Sequence, residues 1–256
     1  MTALKLFLKS LLKKAIRIAG IPFVLADYFR FRKARLAASV DSRDRFSVRF
    51  RDFYPCIRDK TMTTGFDRHY VYHTAWAIRK VKEISPTKHV DISSSLYFAT
   101  HISAFYPTEF YDYRPALISG LDGLVSKKAD LMALPFANNS IESISCLHTI
   151  EHIGLGRYGD PIDPAGDLKA INELKRVVAK GGSILFVSPV GRPIIEFNAH
   201  RIYSYAQVLN MFSGLRLKEF SLIPEHEKDG GLIQDALPEI VNRERYACGC
   251  FWFVKD

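Results

Sequence analysis

The residues with the most evident chemical potential form the pattern His-x-x-Glu-His at His148, Glu151 and His152. Some zinc hydrolases have this pattern, in which the two histidines bind the metal, provided that one helix directs both imidazoles at a third ligand. A strand-like run leads directly into His148, and Gly154 and Gly156 follow, so we predict no such helix and no metal. Two roles stay open: a general base at His152 or His148, or a loop that Glu151 and His152 hold together by hydrogen bonds.

Seven further polar residues are candidates for binding a substrate. Arg157, Tyr158 and Asp160 lie in the loop after His152. Arg192, Asn198, His200 and Arg201 follow the next apolar run along the chain, at 183–188. Their cationic and hydrogen-bonding groups suit a sugar, a phosphate or a carboxylate. The alternative is a rim of salt bridges that binds no ligand.

A predicted strand–helix–strand unit positions these residues. Residues 141–147 have the mixed polarity of a strand, and residues 183–188 form a near-continuous apolar run that is typical of a covered strand. Between them, Asp163 can cap a helix with Pro164 at its first position, and the glycine pair at 181–182 can end it. Such a unit predicts a parallel sheet with ligands at the carboxyl ends of its strands.

The other segments predict further alternation of helices and strands. Ser204 and Gln207 form a capping box that opens a helix to Met211. Other helices are predicted at 70–81 and 96–105, and a short one within 224–245. Other strands are predicted at 89–95, 109–113, near 129–132, at 215–223 and at 246–254. The last two strands are expected to pair antiparallel.

The positive charge is concentrated at the N-terminus. The net charge is +9, yet residues 1–60 hold 15 Lys and Arg against 5 Asp and Glu. The rest of the chain is therefore nearly neutral, which argues against nucleic acid as its partner. We predict a basic amphipathic extension at 1–60 and one domain at 61–256.

Residues 1–20 place leucines on one helical face and lysines on the other. No uncharged run approaches the ~18 residues that a membrane span needs. A helix of this kind can lie on an anionic membrane surface, here through residues 1–35, or pack on the protein with its lysines in water. The four cysteines, Cys56, Cys146, Cys248 and Cys250, lack metal-site spacing and indicate reduced thiols of the cytoplasm.

Over residues 85–256 the order of elements resembles the class I S-adenosylmethionine (SAM) methyltransferases. The residues that carry the resemblance are Asp91, Asp112, Asp130 in ADLMALPF, the run ending LHTIEH, and GGSILFVSPVG. HTIEHIGLGRYGDPIDPAGD with NAHRIY more closely resembles a family of methyltransferase-like proteins that is known as a domain of unknown function. The resemblance implies a Rossmann-like α/β sheet, mostly parallel with an antiparallel last strand, here preceded by the basic helical extension.

The resemblance also implies a SAM site. Asp112 would accept both ribose hydroxyls, Asp130 and Leu131 would meet the adenine ring, and the turn after Asp91 would approach the methionine end. That turn usually reads Asp-x-Gly-x-Gly-x-Gly, but this chain has Ser93, Ser95 and Tyr97 at the glycine positions. Serine is small and can form hydrogen bonds, whereas Tyr97 cannot imitate glycine, so SAM binding requires that its ring leave the space free.

The resemblance implies a SAM-dependent methyltransferase, and the basic N-terminal extension suggests that it works near the cytoplasmic face of a membrane. The expected reaction is O-methylation of a small polar or glycan-linked acceptor. No particular residue indicates the glycan. Two other functions stay open. One is a non-catalytic partner that its arm tethers to a membrane assembly, and the other is a zinc hydrolase that uses the histidine pair.

Overall fold

The computed structural model describes residues 3–38, 45–57 and 59–256, with the side chains of residues 3–19 excluded. It contains two compact units, Met1–Gly65 and Phe66–Asp256. In the first, helix α1 spans Ala3–Ala37, and a 3-10 turn follows at Phe50–Asp52. The predicted amphipathic face of residues 4–18 lies outside the described side chains. Among the described residues, no helix is both long and apolar enough to cross a membrane.

The second unit alternates strands and helices. Its helices are α2 (Arg68–Ile84), α3 (Leu96–Ser103), α4 (Gly166–Val177), α5 (Tyr205–Met211) and α6 (Pro238–Val241). Its strands are β1 (His89–Ile92), β2 (Thr108–Asp112), β3 (Leu124–Lys128), β4 (Ile141–Leu147), β5 (Val178–Val190), β6 (Ile194–Glu196), β7 (His200–Ile202), β8 (Arg216–Ile223) and β9 (Ala247–Val254). Two 3-10 turns lie at Ile150–His152 and Glu227–Asp229.

Seven strands form one sheet in the order β3-β2-β1-β4-β5-β9-β8. The first five are parallel, and β9 runs antiparallel to both β5 and β8; the pairing of β9 with β8 was predicted from the sequence. The strand order reverses direction between β1 and β4, which is where ligands bind in open α/β sheets.

The sheet is covered on both faces, because alternate residues of its strands enter two separate hydrophobic clusters. In β5, Ile184 and Phe186 belong to the cluster that includes α4 and α5. Leu185 and Val187 belong to the cluster that includes α2 and α3. Since successive strand residues point to opposite faces, the helices form one layer on each side.

Three boundary predictions were wrong. Strand β3 lies at Leu124–Lys128 rather than near 129–132, because Asp130 accepts a hydrogen bond from the Met132 N–H (2.8 Å) and starts a turn. Helix α4 begins at Gly166 rather than at Pro164, because Asp163 accepts from the Ala165 N–H (2.9 Å) in a turn ahead of it.

Helix α4 also ends at Val177, well before Gly181. Its last carbonyls are bound from outside the helix: Asn139 N–H donates to Arg176 and Ser140 N–H to Val177, at 2.9 and 2.8 Å. The Lys255 ammonium donates to the Lys175 carbonyl at 2.6 Å. Because these groups satisfy the helix end, no left-handed glycine cap is needed.

The capping box of Ser204 and Gln207 at α5 was confirmed. The hairpin of β6 and β7 was not predicted, since each of its strands has only three residues.

Candidate active site

Two adjoining cavities lie at the carboxyl ends of β1, β2 and β4. The first has a volume of about 290 Å³ and is lined by the turn after β1, the end of β2 and the segment after β4. The second, of about 470 Å³, is lined by the start of α2, the same segment and the start of β9. Tyr70, His148, His152 and Tyr158 belong to the walls of both. A group bound in one cavity could therefore reach a group bound in the other.

The turn after β1 lines the first cavity with Ser93, Ser94 and Ser95. Ser93 has φ = +54°, the left-handed conformation that normally favours glycine. Its N–H donates to the Tyr111 carbonyl (2.8 Å) and its hydroxyl donates to the same oxygen (3.2 Å), which stabilises this conformation. The backbone at Ser93 thus has a conformation that is typical of glycine, although no glycine is present.

The side chains on either side of this turn leave its cavity open. Ser95 accepts a hydrogen bond from the Phe98 N–H (3.2 Å) and caps α3. Tyr97 lies in the first turn of α3 with 79% of its surface exposed, and it does not line the cavity. SAM binding was expected to require that the Tyr97 ring leave this space free, and the ring does so.

Asp91 lies beneath the turn rather than in the cavity wall. It is fully buried, accepts from the Ser145 hydroxyl, and accepts from the Ser94 N–H at 3.3 Å. Burial raises the pKa of Asp91 to about 7, although the two serine hydrogen bonds oppose that rise. The Ser145 hydroxyl also contacts His89 (2.8 Å), whose pKa burial lowers to about 3. Asp91 therefore ties the turn to β4 from below.

Asp112 ends β2 and lines the first cavity, as the ribose-binding role requires. Its Oδ1 accepts from the Arg114 N–H at 2.7 Å, which fixes the carboxylate and leaves Oδ2 and the second acceptor site of Oδ1 for a ligand. Asp130 and Leu131, predicted near adenine, lie outside the cavity wall. The Asp130 side chain closes its own turn, and Leu131 is buried in the core.

His148 stands at the boundary of the two cavities. It also has a left-handed backbone, with φ = +56°, and its Nδ1 lies 2.8 Å from Oε1 of Glu151. Glu151 is only 1% exposed. Strained backbone at non-glycine residues persists where surrounding contacts impose it, and it is concentrated at functional sites. Here it occurs after two of the three strands that border the cavities, at Ser93 after β1 and at His148 after β4.

His152 is oriented by the backbone of the loop before β7. Its Nδ1 lies 2.7 Å from the Ala199 carbonyl, so Nδ1 carries the proton and Nε2 carries the lone pair. Burial lowers the pKa of His152, against the opposing effect of Glu151. Arg157 donates to the same carbonyl at 3.0 Å and lies over the Tyr158 ring, 5.0 Å from its centroid. Arg157, Tyr158 and His152 thus form one ordered wall.

The remaining predicted substrate residues divide between cavity wall and scaffold. Asp160 lines the first cavity but accepts from the N–H of Gly154 (2.8 Å). His200 lines the second cavity. Arg192 and Asn198 are exposed outside both. Arg201 is 4% exposed and donates to the Ile153 carbonyl (2.7 Å), so it anchors the loop instead of meeting a ligand.

Sequence reasoning did not assign several wall residues to the site. Tyr70 lines both cavities, and His69 and Tyr246 line the second. The rings of His69 and Tyr246 stack at 5.1 Å. The signal for His69 and Tyr70 is the aromatic cluster that they form with Tyr72, His73 and Trp76 ahead of the first strand, although such clusters are more often core packing. Burial raises the pKa of Tyr70 and of Tyr246 to about 12, so both keep their phenolic protons.

The fold matches solved structures at low sequence identity. The YcgJ protein of Bacillus subtilis matches with a TM-score of 0.52 at 13% identity, over 73% of this chain and 99% of that one. A protein of Galdieria sulphuraria, described as a candidate sarcosine dimethylglycine methyltransferase, matches with a TM-score of 0.52 at 12% identity, over 73% and 86%. The second unit thus has the class I SAM-dependent methyltransferase fold, as predicted.

Residues 133–231 match the model of a family described as "Caenorhabditis protein of unknown function, DUF268". This match agrees with the predicted resemblance to a domain of unknown function. No curated protein matches the chain significantly in sequence.

Proposed function

We propose that this protein is a SAM-dependent methyltransferase, with SAM in the first cavity and a methyl acceptor in the second. The observation that carries the proposal is the wall of His148, His152, Tyr70 and Tyr158 that the two cavities share. A methyl group crosses only a few ångströms, so donor and acceptor must meet at one boundary. SAM, when bound, supplies an activated methyl group on its sulfonium.

The residues of the first cavity fit this cofactor. The left-handed backbone at Ser93 keeps the turn open, and the exposed position of Tyr97 leaves it clear. Asp112 offers a fixed carboxylate at the end of β2, where two charge-assisted hydrogen bonds suit a vicinal diol. The volume of about 290 Å³ is near the lower end of the range of roughly 300–1,000 Å³ for small-molecule sites.

The second cavity suits a small polar acceptor. Arg68 and Arg157 bring positive charge to its wall, and His200 brings a hydrogen-bonding ring. Tyr158 and Tyr246 add aromatic faces with polar ends. The arginines suit a negative group and the Asp67 and Glu151 carboxylates of the same wall suit hydroxyl groups, which supports a small polar or glycan-linked acceptor and transfer to oxygen.

His152 is the base that we assign to the acceptor hydroxyl. Because Nδ1–H is held by the Ala199 carbonyl, the lone pair is on Nε2 of a ring that lines both cavities. A lowered pKa keeps the ring unprotonated near neutral pH. Tyr158 packs edge-on against the His152 ring, with centroids 5.6 Å apart, and helps to fix its orientation.

Titration calorimetry with S-adenosylhomocysteine tests the proposal. We expect saturable binding to the full chain and a melting temperature that rises with ligand concentration, because a ligand of the folded state stabilises it. If no heat and no shift are seen at millimolar ligand, the enzyme proposal fails. The protein is then a non-catalytic partner with a methyltransferase fold.

Replacing His152 by asparagine should separate catalysis from cofactor binding. The amide N–H can still donate to the Ala199 carbonyl, but no base remains, so methyl transfer should fall about 10²-fold. Transfer from methyl-labelled SAM to a panel of sugar phosphates and hydroxy acids provides the measurement. Affinity for S-adenosylhomocysteine should not change, and an unaltered transfer rate would remove His152 from the mechanism.

We further propose that the N-terminal arm brings the enzyme to an anionic membrane surface at the cytoplasmic face. In the described part of α1, Phe23, Phe29 and Phe31 are exposed. Arg30 and Arg32 lie among them. Exposed aromatic rings interleaved with cations are typical of helices that lie in the headgroup region.

Replacing Lys13 and Lys14 together by glutamine should weaken binding to vesicles that contain anionic lipid. Each cation contributes about 1 kcal/mol near such a surface, so the affinity should fall about 30-fold. Replacing Lys82 and Lys180 together by glutamine removes the same charge from exposed positions of the second unit and is the matched control. Equal vesicle flotation of the two double variants would contradict the proposal.

A further inference from the structure

We propose that His69, His148 and Cys248 bind one Zn²⁺ ion at the wall of the second cavity. This site does not depend on methyl transfer, and it differs from the His-x-x-Glu-His pattern in the sequence. In that pattern His152 would be a ligand, whereas the ligand atoms that lie together here belong to His69, His148 and Cys248.

Three ligand atoms converge at one point. One nitrogen of His69, one nitrogen of His148 and Sγ of Cys248 all lie within 4.8 Å of one another. Nε2 of His148 and Sγ of Cys248 are 3.4 Å apart. Zn–N bonds of about 2.0–2.1 Å and a Zn–S bond of about 2.3 Å at tetrahedral angles place such atoms roughly 3.6 Å apart. The distance between His148 Nε2 and Cys248 Sγ is close to this value, and the His69 nitrogen lies within 4.8 Å of both atoms.

The three ligands come from rigid parts of the fold. His69 lies in the first turn of α2, His148 directly follows β4, and Cys248 is the second residue of β9. The His148 N–H donates to the Val187 carbonyl of β5 at 2.9 Å. The left-handed backbone of His148 then directs its ring toward β9. A bound ion would explain why this strained conformation is built into the chain.

Glu151 orients the central ligand. Its Oε1 accepts from Nδ1 of His148 at 2.8 Å, so Nε2 of that ring has a free lone pair and faces Cys248. Metal-binding histidines nearly always donate their second ring N–H to a carboxylate or a carbonyl, which fixes the tautomer. Glu151 therefore acts as a positioning residue: it forms a hydrogen bond to the ligand His148 and does not contact the ion itself.

The charges also favour a cation at this point. Glu151 is 1% exposed, its Oε2 has no hydrogen-bond partner, and no Lys or Arg of the described residues forms an ion pair with it. Zn²⁺ with one thiolate and this carboxylate forms a neutral group, which is far less costly to bury than an isolated charge. On binding, the Cys248 thiol loses its proton to solvent and forms the Zn–S bond.

Two imidazoles and one thiolate select zinc among the common divalent ions. Mg²⁺ and Ca²⁺ prefer oxygen ligands, whereas Zn²⁺ takes nitrogen and sulfur in tetrahedral sites. Three protein ligands leave the fourth position for water or for a bound compound. Since His69 and His148 line the second cavity, that position can be reached by whatever the cavity binds.

The first test measures zinc directly. Full-length untagged protein, purified without chelators, should contain one zinc per chain by elemental analysis. Cobalt exchanged into the site should give a thiolate charge-transfer band in the near ultraviolet and intense visible bands of a tetrahedral ion. Cys248→Ser should remove the charge-transfer band. Cys250→Ser, equally buried two residues along the same strand, should retain it.

A second variant tests the zinc site without changing the buried Cys248, in case Cys248→Ser fails to fold. Glu151→Gln should still fold and bind zinc, but 10- to 100-fold more weakly in competition with a chromophoric chelator, because the orienting carboxylate is lost. Asp112→Ala, at the far side of the first cavity, should bind zinc with unchanged affinity whether or not S-adenosylhomocysteine binds. Metal-free protein that shows no cobalt band, or equal bands in the two cysteine variants, would overturn the assignment.

Discussion

Asp112→Ala is expected to weaken the binding of S-adenosylhomocysteine by about 10²- to 10⁴-fold. Two hydrogen bonds from ribose hydroxyls to an ionised carboxylate would be lost, each worth about 1.5–3 kcal/mol. The Arg114 N–H already holds one oxygen at 2.7 Å, so the carboxylate is oriented before a ligand arrives. Calorimetry on the full chain measures the change directly.

The matched control is Asp122→Ala, which removes an exposed carboxylate ahead of β3 and away from both cavities. Its affinity for the nucleoside should equal that of the wild type. Both variants should melt near the wild-type temperature, because Asp112 is not part of the hydrophobic core. If Asp112→Ala retains full affinity, the nucleoside does not lie at the end of β2, and the assignment of the first cavity is wrong.

The position of Asp112 could be predicted because local sequence determines it. The run at 109–113 predicted a short strand that ends there, and the resemblance to methyltransferases implied the role of Asp112 at the ribose. The capping box at Ser204 and the antiparallel pairing of β9 were predictable for the same reason, since each depends on neighbouring residues or on one regular pattern. Strand β3 was misplaced because its apolar character is weak at the edge of the sheet.

The cluster of His69, His148 and Cys248 could not be predicted from spacing. Cys248 is 100 residues from His148 along the chain, and only the pairing of β9 with β5 brings them together. The turn at Ser93 was unpredictable for another reason. Its glycine-like backbone depends on two hydrogen bonds to the Tyr111 carbonyl of the neighbouring strand, which no local pattern reveals.

Asp91→Asn should make the stability of the protein less dependent on pH. Burial raises the pKa of Asp91 from 3.8 to about 7, so the folded state keeps a proton that the unfolded chain has already released. Between these values the folded state binds more protons, and the free energy of unfolding must fall as the pH rises. The stabilisation is complete below the unfolded pKa and is lost as the pH rises through the folded one. A difference of about three between the folded and unfolded pKa of Asp91 corresponds to about 4 kcal/mol in the free energy of unfolding.

Asparagine is the suitable replacement because it keeps the shape and stays neutral. Its carbonyl can accept from the Ser94 N–H, and its amide can donate to the Ser145 hydroxyl. Urea unfolding of both proteins from about pH 4 to about pH 8 yields the difference in stability, in which all other titrating groups cancel. Relative to Asp91→Asn, the wild type should lose up to about 4 kcal/mol over this range.

The exposed Asp122→Asn should follow the wild-type pH profile throughout and is the control for a general change in charge. Parallel profiles of the wild type and Asp91→Asn would show that Asp91 ionises normally in the folded protein. The buried link from the turn to β4 would then be an ordinary carboxylate. A wild-type profile that falls steeply with pH instead supports a neutral Asp91 that fixes the turn from below, so that Asp112 is the charged partner for the nucleoside.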